Sequence, residues 1–294
     1  MNKRGIFNKY YNGMPFSERL TKDIKHFFRL SYLFFRSGFN IKTILIYPHY
    51  PSKKATISRI CKKLGYNYTN NPLSKYKLAI NWEYATYRKS NKVLEDIAKQ
   101  KKVLNLKSLD INKLLVDAVF KEVFGYGTEI NPLTFEGKAV KKSVINALHN
   151  YEIIDCPIAE KEEGFIYQIL IDNNTPEGQI LDFRLALINQ KIPYVLKKYH
   201  PKGSRFKNVV DNIETRTAEE VFSSEEIKKF LEFSAKINID YGELDVLRCN
   251  KTQKIYIIDV NNTPNITYDK NYKQNVMSAL NKLACEFKNL VDNK

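Results

Sequence analysis

No apolar run in this sequence approaches the roughly 20 residues that a membrane-spanning helix requires. The opening residues, MNKRGIFNKYYNGM, lack the apolar centre of a secretion signal, so a cytoplasmic location is the default expectation. Cysteine is scarce. Cys61, Cys156, Cys249 and Cys285 are scattered and form no CxxC pair, which fits neither a zinc site nor a dense disulfide framework. There is no GxGxxG dinucleotide fingerprint. No RNP, helix-turn-helix or zinc-finger pattern points to nucleic acid. No Ser-His-Asp or Cys-His arrangement marks a covalent nucleophile.

What is present is a chain of 294 residues, more than one compact core needs, so two or three subdomains are expected. Hydrophobic residues make up 43% and aromatics 13%, enough to bury a core. The formal charge is +16, which attracts phosphate, nucleic acid or an anionic membrane surface. Lysine and asparagine are abundant throughout, so part of that excess is compositional and selects no single partner.

The stretch 244–265, LDVLRCNKTQKIYIIDVNNTPN, reads as two strands joined by a polar turn. Asp259 and Asn261 are two apart, so on a strand they share a face. A turn centred near Thr252 sets Asp245 opposite Asp259, with Cβ atoms roughly 5 Å apart. Two carboxylates that close repel unless a cation lies between them, and hard oxygen donors suit Mg²⁺. Mg²⁺ shares its shell with water and substrate phosphates, so three protein ligands make the half-site that a nucleotide enzyme needs. An ordinary hairpin with solvated acids is the alternative.

The same string resembles the end of the nucleotide site in ATP-grasp enzymes. There an acid on one strand is followed, after a turn, by hydrophobic residues, an acid, any residue, Asn, two residues and Pro. Here these are Asp245, then Ile257, Ile258, Asp259, Val260, Asn261, Asn262, Thr263 and Pro264. The family's second acid is usually Glu; this chain has the shorter Asp259. The resemblance runs from about residue 110 to the end. It implies an α+β ATP-grasp fold with a small N-terminal α/β (pre-ATP-grasp) domain. It also implies ATP and Mg²⁺ as cofactors, with Asp245, Asp259 and Asn261 as metal ligands. The division expected is a basic aromatic extension over 1–40, the α/β domain over 41–110 and the ATP-grasp domain over 111–294. Its lid would span about 120–170 and its body about 171–294.

Residues 21–35 have helical spacing, with Ile24, Phe27, Phe28, Ser31 and Phe35 on one side. Lys22, Lys25, Arg29 and Arg36 form a basic stripe. Such a helix lies on an anionic membrane surface or packs its aromatic face on the body. Across 41–110, strands near 43–47, 66–68, 78–82 and 103–106 alternate with helices at 52–64 and 91–99, which argues for a mostly parallel sheet. A helix over 112–124 ends at Gly125. Lys113 opens it, and the resemblance gives that lysine the phosphates; a solvated lysine is the plain reading. Residues 139–143 are strand-like. Aligning Ser143 with the proline of a family Lys-Pro strand end gives Lys142 the nucleotide-binding role, with Lys141 as the neighbour that could replace it. The following loop has no glycine, so Asn146 or His149 would meet phosphate in place of backbone amides.

Residues 164–172 read as a strand before a turn. By resemblance, the backbone of Gln168, Ile169 and Leu170 would hold adenine and Asp172 the ribose. Residues 180–188 form the next strand, with Asp182 and Arg184 on one face. Arg184 is either part of a cross-strand ion pair or a contact to phosphates and acyl substrate. The segment 194–207 is densely basic and carries Arg205; it would clamp an anionic substrate or form a solvated loop. Residues 223–237 are a capped helix, since Ser223 precedes Glu226 by three. Val276, Leu280, Leu283, Phe287 and Leu290 mark a closing helix.

The activity implied is a ligase that activates a carboxylate of an anionic acceptor as an acylphosphate, with Arg184 or Arg205 holding that group. The chain is most similar to members associated with sugar transfer and surface-polysaccharide biosynthesis. A kinase for a sugar or other hydroxyl, and a non-catalytic basic binding protein, are the alternatives.

Overall fold

The computed structural model describes residues 15–36, 41–146, 148, 150–205, 209–266 and 271–292. Among them, six helices and twelve strands form three sheets. The basic residues Lys22, Arg29 and Arg36, as side chains, and His149 and Lys207 lie outside the described residues.

Helix α1 covers Phe16–Arg36. A parallel four-stranded sheet follows, in the order β2-β1-β3-β4, from β1 (Thr43–Pro48), β2 (Asn67–Thr69), β3 (Ala79–Trp82) and β4 (Val103–Leu104). Its helices are α2 (Thr56–Leu64) and α3 (Lys92–Ala98). The expected alternation and parallel pairing are present, but 52–55 precede the helix instead of opening it. Helix α4 (Lys113–Phe124) begins where expected: the Asn112 side chain accepts from the Leu114 and Leu115 amides, and Gly125 closes it in the left-handed conformation.

The second sheet is antiparallel, β6-β5-β7, from β5 (Gly137–Ser143), β6 (Tyr151–Cys156) and β7 (Phe165–Ile169). The third is antiparallel, β10-β9-β8-β11-β12, from β8 (Ile180–Ile188), β9 (Val195–His200), β10 (Asn212–Arg216), β11 (Tyr241–Arg248) and β12 (Ile255–Asn261). Helix α5 (Ser224–Lys236) carries the expected Ser223–Glu226 capping box, and α6 (Lys273–Asp292) closes the chain.

The period of two along β8 divides the core. Leu185 and Leu187 join Phe120, Phe230 and Val246 on one face of the five-stranded sheet, against α4 and α5. Ala186 and Ile188 join Tyr194, Tyr241, Leu280 and Phe287 on the other, against α6 and the parallel sheet. That second face is apolar only along part of the strands. Toward the start of β8 and the end of β9, the same alternation brings up Asp182, Arg184 and Lys198. A cavity opens beside Arg184.

Candidate active site

A cavity of about 580 Å³ lies between the two antiparallel sheets. Its size suits a small-molecule ligand. Lys142 and Tyr151 line it from the three-stranded sheet, Arg184, Asp245, Asp259 and Asn261 from the five-stranded sheet, and Lys113 from α4. Tyr84 and Thr86 close one wall from the N-terminal unit.

Strands β11 and β12 pair Asp245 with Asp259, as the turn position requires, and Glu243 with Asn261. The register then shifts, so that Val246 pairs with Ile257 and Ile258 is the extra residue of a bulge that faces the cavity. Gly242 allows the strands to come this close: a Cβ there would lie 2.5 Å from the Asn261 carbonyl oxygen.

Arg184 grips both oxygens of Asp245, donating from Nε at 2.7 Å and from a terminal nitrogen at 2.9 Å. Its other terminal nitrogen is 3.5 Å from Glu243, a fully buried carboxylate to which Tyr194 donates. Burial works against the charge of Arg184, but Asp245 and Glu243 outweigh it and raise the guanidinium's affinity for its proton. Burial also raises Asp245, yet Arg184 and Lys198 more than reverse that and hold it below the usual carboxylate range. Asp259 goes the other way. Burial and the neighbouring Asp245 raise it, despite Lys113 and Lys142. Its Oδ1 is buried without a hydrogen bond and has Lys113 3.8 Å away.

Lys113 also donates to the Asn146 side chain at 2.9 Å and the Ile145 carbonyl at 3.3 Å, tying the start of α4 to the segment after β5. The Lys142 ammonium makes no hydrogen bond or ion pair with the described residues, and burial, aided by Lys113, brings it down to about 8. Lys141 points to the opposite face of β5, bonded to Glu162 and lying over the Phe165 ring.

The residues expected around adenine are not brought here. Gln168, Ile169, Leu170 and Asp172 do not line the cavity. Strand β7 stops at Ile169, and its outer edge is taken by residues 128–130. The Ile169 amide donates to the Thr128 carbonyl at 2.9 Å, and the buried Gln168 side chain donates to the Thr128 hydroxyl at 2.5 Å. The Asp172 carboxylate accepts from Asn174, and its carbonyl from the Asn250 amide. The basic segment is also displaced. Lys197, Lys198 and His200 belong to strand β9, and His200 pairs with Asp182 at 3.1 Å. Arg205 lies in the field of Asp182 and Asp172 and does not line the cavity.

Several site-forming residues were not expected from sequence. The loop after β12 is held from behind by the N-terminal unit. Buried Arg88 donates to the Asn262 side chain and, at 2.7 Å, to the Glu83 carbonyl. The Asn105 side-chain Nδ2 donates to the Tyr241 and Asn262 carbonyls at 2.7 and 3.2 Å. Asn262 in turn donates to Ser108 at 3.0 Å, and the Thr56 amide to the Pro264 carbonyl at 2.9 Å. No local pattern announces these contacts. Glu243 was findable: it lies two before Asp245 on the same strand face.

No family model matches the chain, and no curated protein matches it. Solved structures do. The ATP-grasp ligase PsnB complexed with a minimal precursor superposes with a TM-score of 0.57 at 9% identity, covering 85% of this chain and 99% of that one. The chain has the ATP-grasp fold. PsnB with a phosphomimetic precursor variant, Mg and ADP gives 0.55 at 9% identity, covering 86% and 98%. PsnB with precursor peptide PsnA2 and AMPPNP gives 0.52 at 10% identity, covering 83% and 98%. The α+β ATP-grasp class expected from the hairpin signature is therefore present. Among the described residues, no helix is long and apolar enough to cross a membrane.

Proposed function

We propose that the chain is an ATP- and Mg²⁺-dependent ligase that activates a carboxylate of an anionic acceptor as an acylphosphate for attack by an amine or other nucleophile. The observation that carries this reading is the convergence of Lys113, Lys142, Arg184, Asp245 and Asp259 on one cavity within an ATP-grasp fold. PsnB crystallised with Mg and ADP supports the cofactor set.

The donor chemistry fits a divalent cation. Asp259 has a buried carboxylate oxygen with no hydrogen-bond partner, and its charge is disfavoured by Asp245 across the strand pair. A cation between the two relieves both conditions. The Asp245 oxygens accept from Arg184 but retain lone pairs, and Asn261 offers an amide oxygen that already accepts from the Thr263 amide at 2.9 Å. Asp245, Asp259 and Asn261 would hold Mg²⁺, which would supply positive charge to offset that of the nucleotide phosphates. Lys113 and Lys142 place two ammonium groups on the same cavity, where they balance the remaining phosphate charge. Arg184, locked by two carboxylates, keeps its planar fork in one orientation as negative charge develops beside it. These roles are positioning and charge neutralisation, which is where catalysis of phosphoryl transfer resides.

ADP release measured across a panel of carboxylic acids, amines and sugars, including glycan precursors, tests the reading. The expected product is an amide or ester of an acid, identified by mass, with phosphate released. A product carrying phosphate on a hydroxyl makes the chain a kinase instead.

A further inference from the structure

We infer that α1 is a docking face for an anionic bilayer surface. Phe16, Leu20, Ile24, Phe27, Phe28 and Phe35 recur three, four and seven residues apart along it, and each is between 46% and 79% exposed. Elsewhere, large exposed apolar residues such as Leu73 and Leu133 are scattered along the chain. Lys25 is also exposed, and on a 3.6-residue period it falls across the helix from Phe16 and Phe27. The helix has 21 residues, about 31 Å at 1.5 Å per residue, long enough to lie along a surface.

Charge decides the occupant. Residues 16–36 contain five Lys or Arg against two acids, in a chain of formal charge +16. A second copy would bring the same positive helix and the same net charge, so self-association through this face meets like-charge repulsion. An anionic bilayer accepts both halves of the helix. Aromatic and aliphatic side chains enter the headgroup boundary, while lysine and arginine remain among the anionic headgroups. Among the described residues, none before Tyr84 lines the cavity, so the docking face and the site are separate.

Flotation of the full chain with phosphatidylcholine vesicles, with and without phosphatidylglycerol, tests this. Binding is expected only with phosphatidylglycerol present, and it should weaken with salt. Phe27→Ser combined with Phe28→Ser should lower partitioning about a hundredfold or more, since each ring removed forfeits about one order of magnitude or more. Lys25→Glu should lower it roughly tenfold through lost surface attraction. An unchanged thermal melt in each variant shows that the body remains folded. Equal binding to neutral vesicles, binding to neither, or no loss in the double variant would overturn the inference. So would a lipid-free dimer that the double variant converts to monomer, or capture by an acidic protein in place of lipid.

Discussion

The three-stranded and five-stranded sheets present charge to the cavity in opposite ways. On the five-stranded sheet, Arg184 is clamped by Asp245 and Glu243, and its position is fixed before any ligand arrives. On the three-stranded sheet, the Lys142 ammonium makes no hydrogen bond or ion pair with the described residues, and burial lowers its proton affinity to about 8. One cation is clamped by hydrogen bonds within the protein; among the described residues the other has only the longer-range attraction of Asp259 and Asp245. Binding energy for an anion should therefore concentrate on Lys142, and structural stability on Arg184.

That contrast can be broken, starting from the largest effect. Arg184→Ala leaves Asp245 and buried Glu243 with only the longer-range charge of Lys198 and should reduce stability to urea by about 3 kcal/mol. A loss under roughly 1 kcal/mol would mean the clamp carries no structural load. Lys142→Ala should weaken ATP binding by about 2 kcal/mol in calorimetric titration, whereas Lys141→Ala should stay near wild type. Equal losses, or the reverse order, would erase the distinction between the two faces of β5. The same lysine sets a pH dependence. Its protonated form meets phosphate, so Mg²⁺-free nucleotide affinity should fall as pH rises through about 8. Lys142→Arg, which stays charged, should flatten that profile.

Arg88→Ala should sharpen the comparison by loosening only the loop behind β12. We expect a stability loss of about 1–3 kcal/mol and a raised Mg²⁺ requirement, with Asn105→Ala acting alike. A change in stability alone would separate this network from the site. The smallest effect concerns His200, which the Asp182 carboxylate beside its ring raises above its ordinary value. That stabilisation is complete below about pH 6.5 and disappears as pH rises through the folded value. The stability gap between wild type and Asp182→Asn, under about 1 kcal/mol, should narrow over that range in thermal melts.

The parts of this arrangement that were legible in sequence are those whose cause is local. The Asp245–Asp259 pairing follows from a turn and a period of two. The ends of α4 and α5 follow from Asn112, Gly125 and Ser223, whose side chains or backbone freedom satisfy nearby groups. The bulge at Ile258 left no such mark. Strand β9 is masked in sequence by its charge: Lys197, Lys198 and His200 give Val195–His200 the look of a basic segment and hide its place between β8 and β10. The edge of β7 is taken by residues 128–130, through a pairing about 40 positions away in the chain that no local pattern marks. Arg88 and Asn105 act across 174 and 157 residues, beyond the reach of any spacing rule.

The central claim is that Asp245 and Asp259 form a cation site facing the phosphates of a bound nucleotide. Calorimetric titration of a non-hydrolysable ATP analogue, with and without Mg²⁺, into wild type and Asp259→Ala tests it most directly. The account predicts that Mg²⁺ tightens binding to the wild type at least tenfold, about 1.4 kcal/mol, and has little effect on the folded variant. Full Mg²⁺ dependence retained in Asp259→Ala would contradict it and reduce the acidic pair to a structural element of the hairpin.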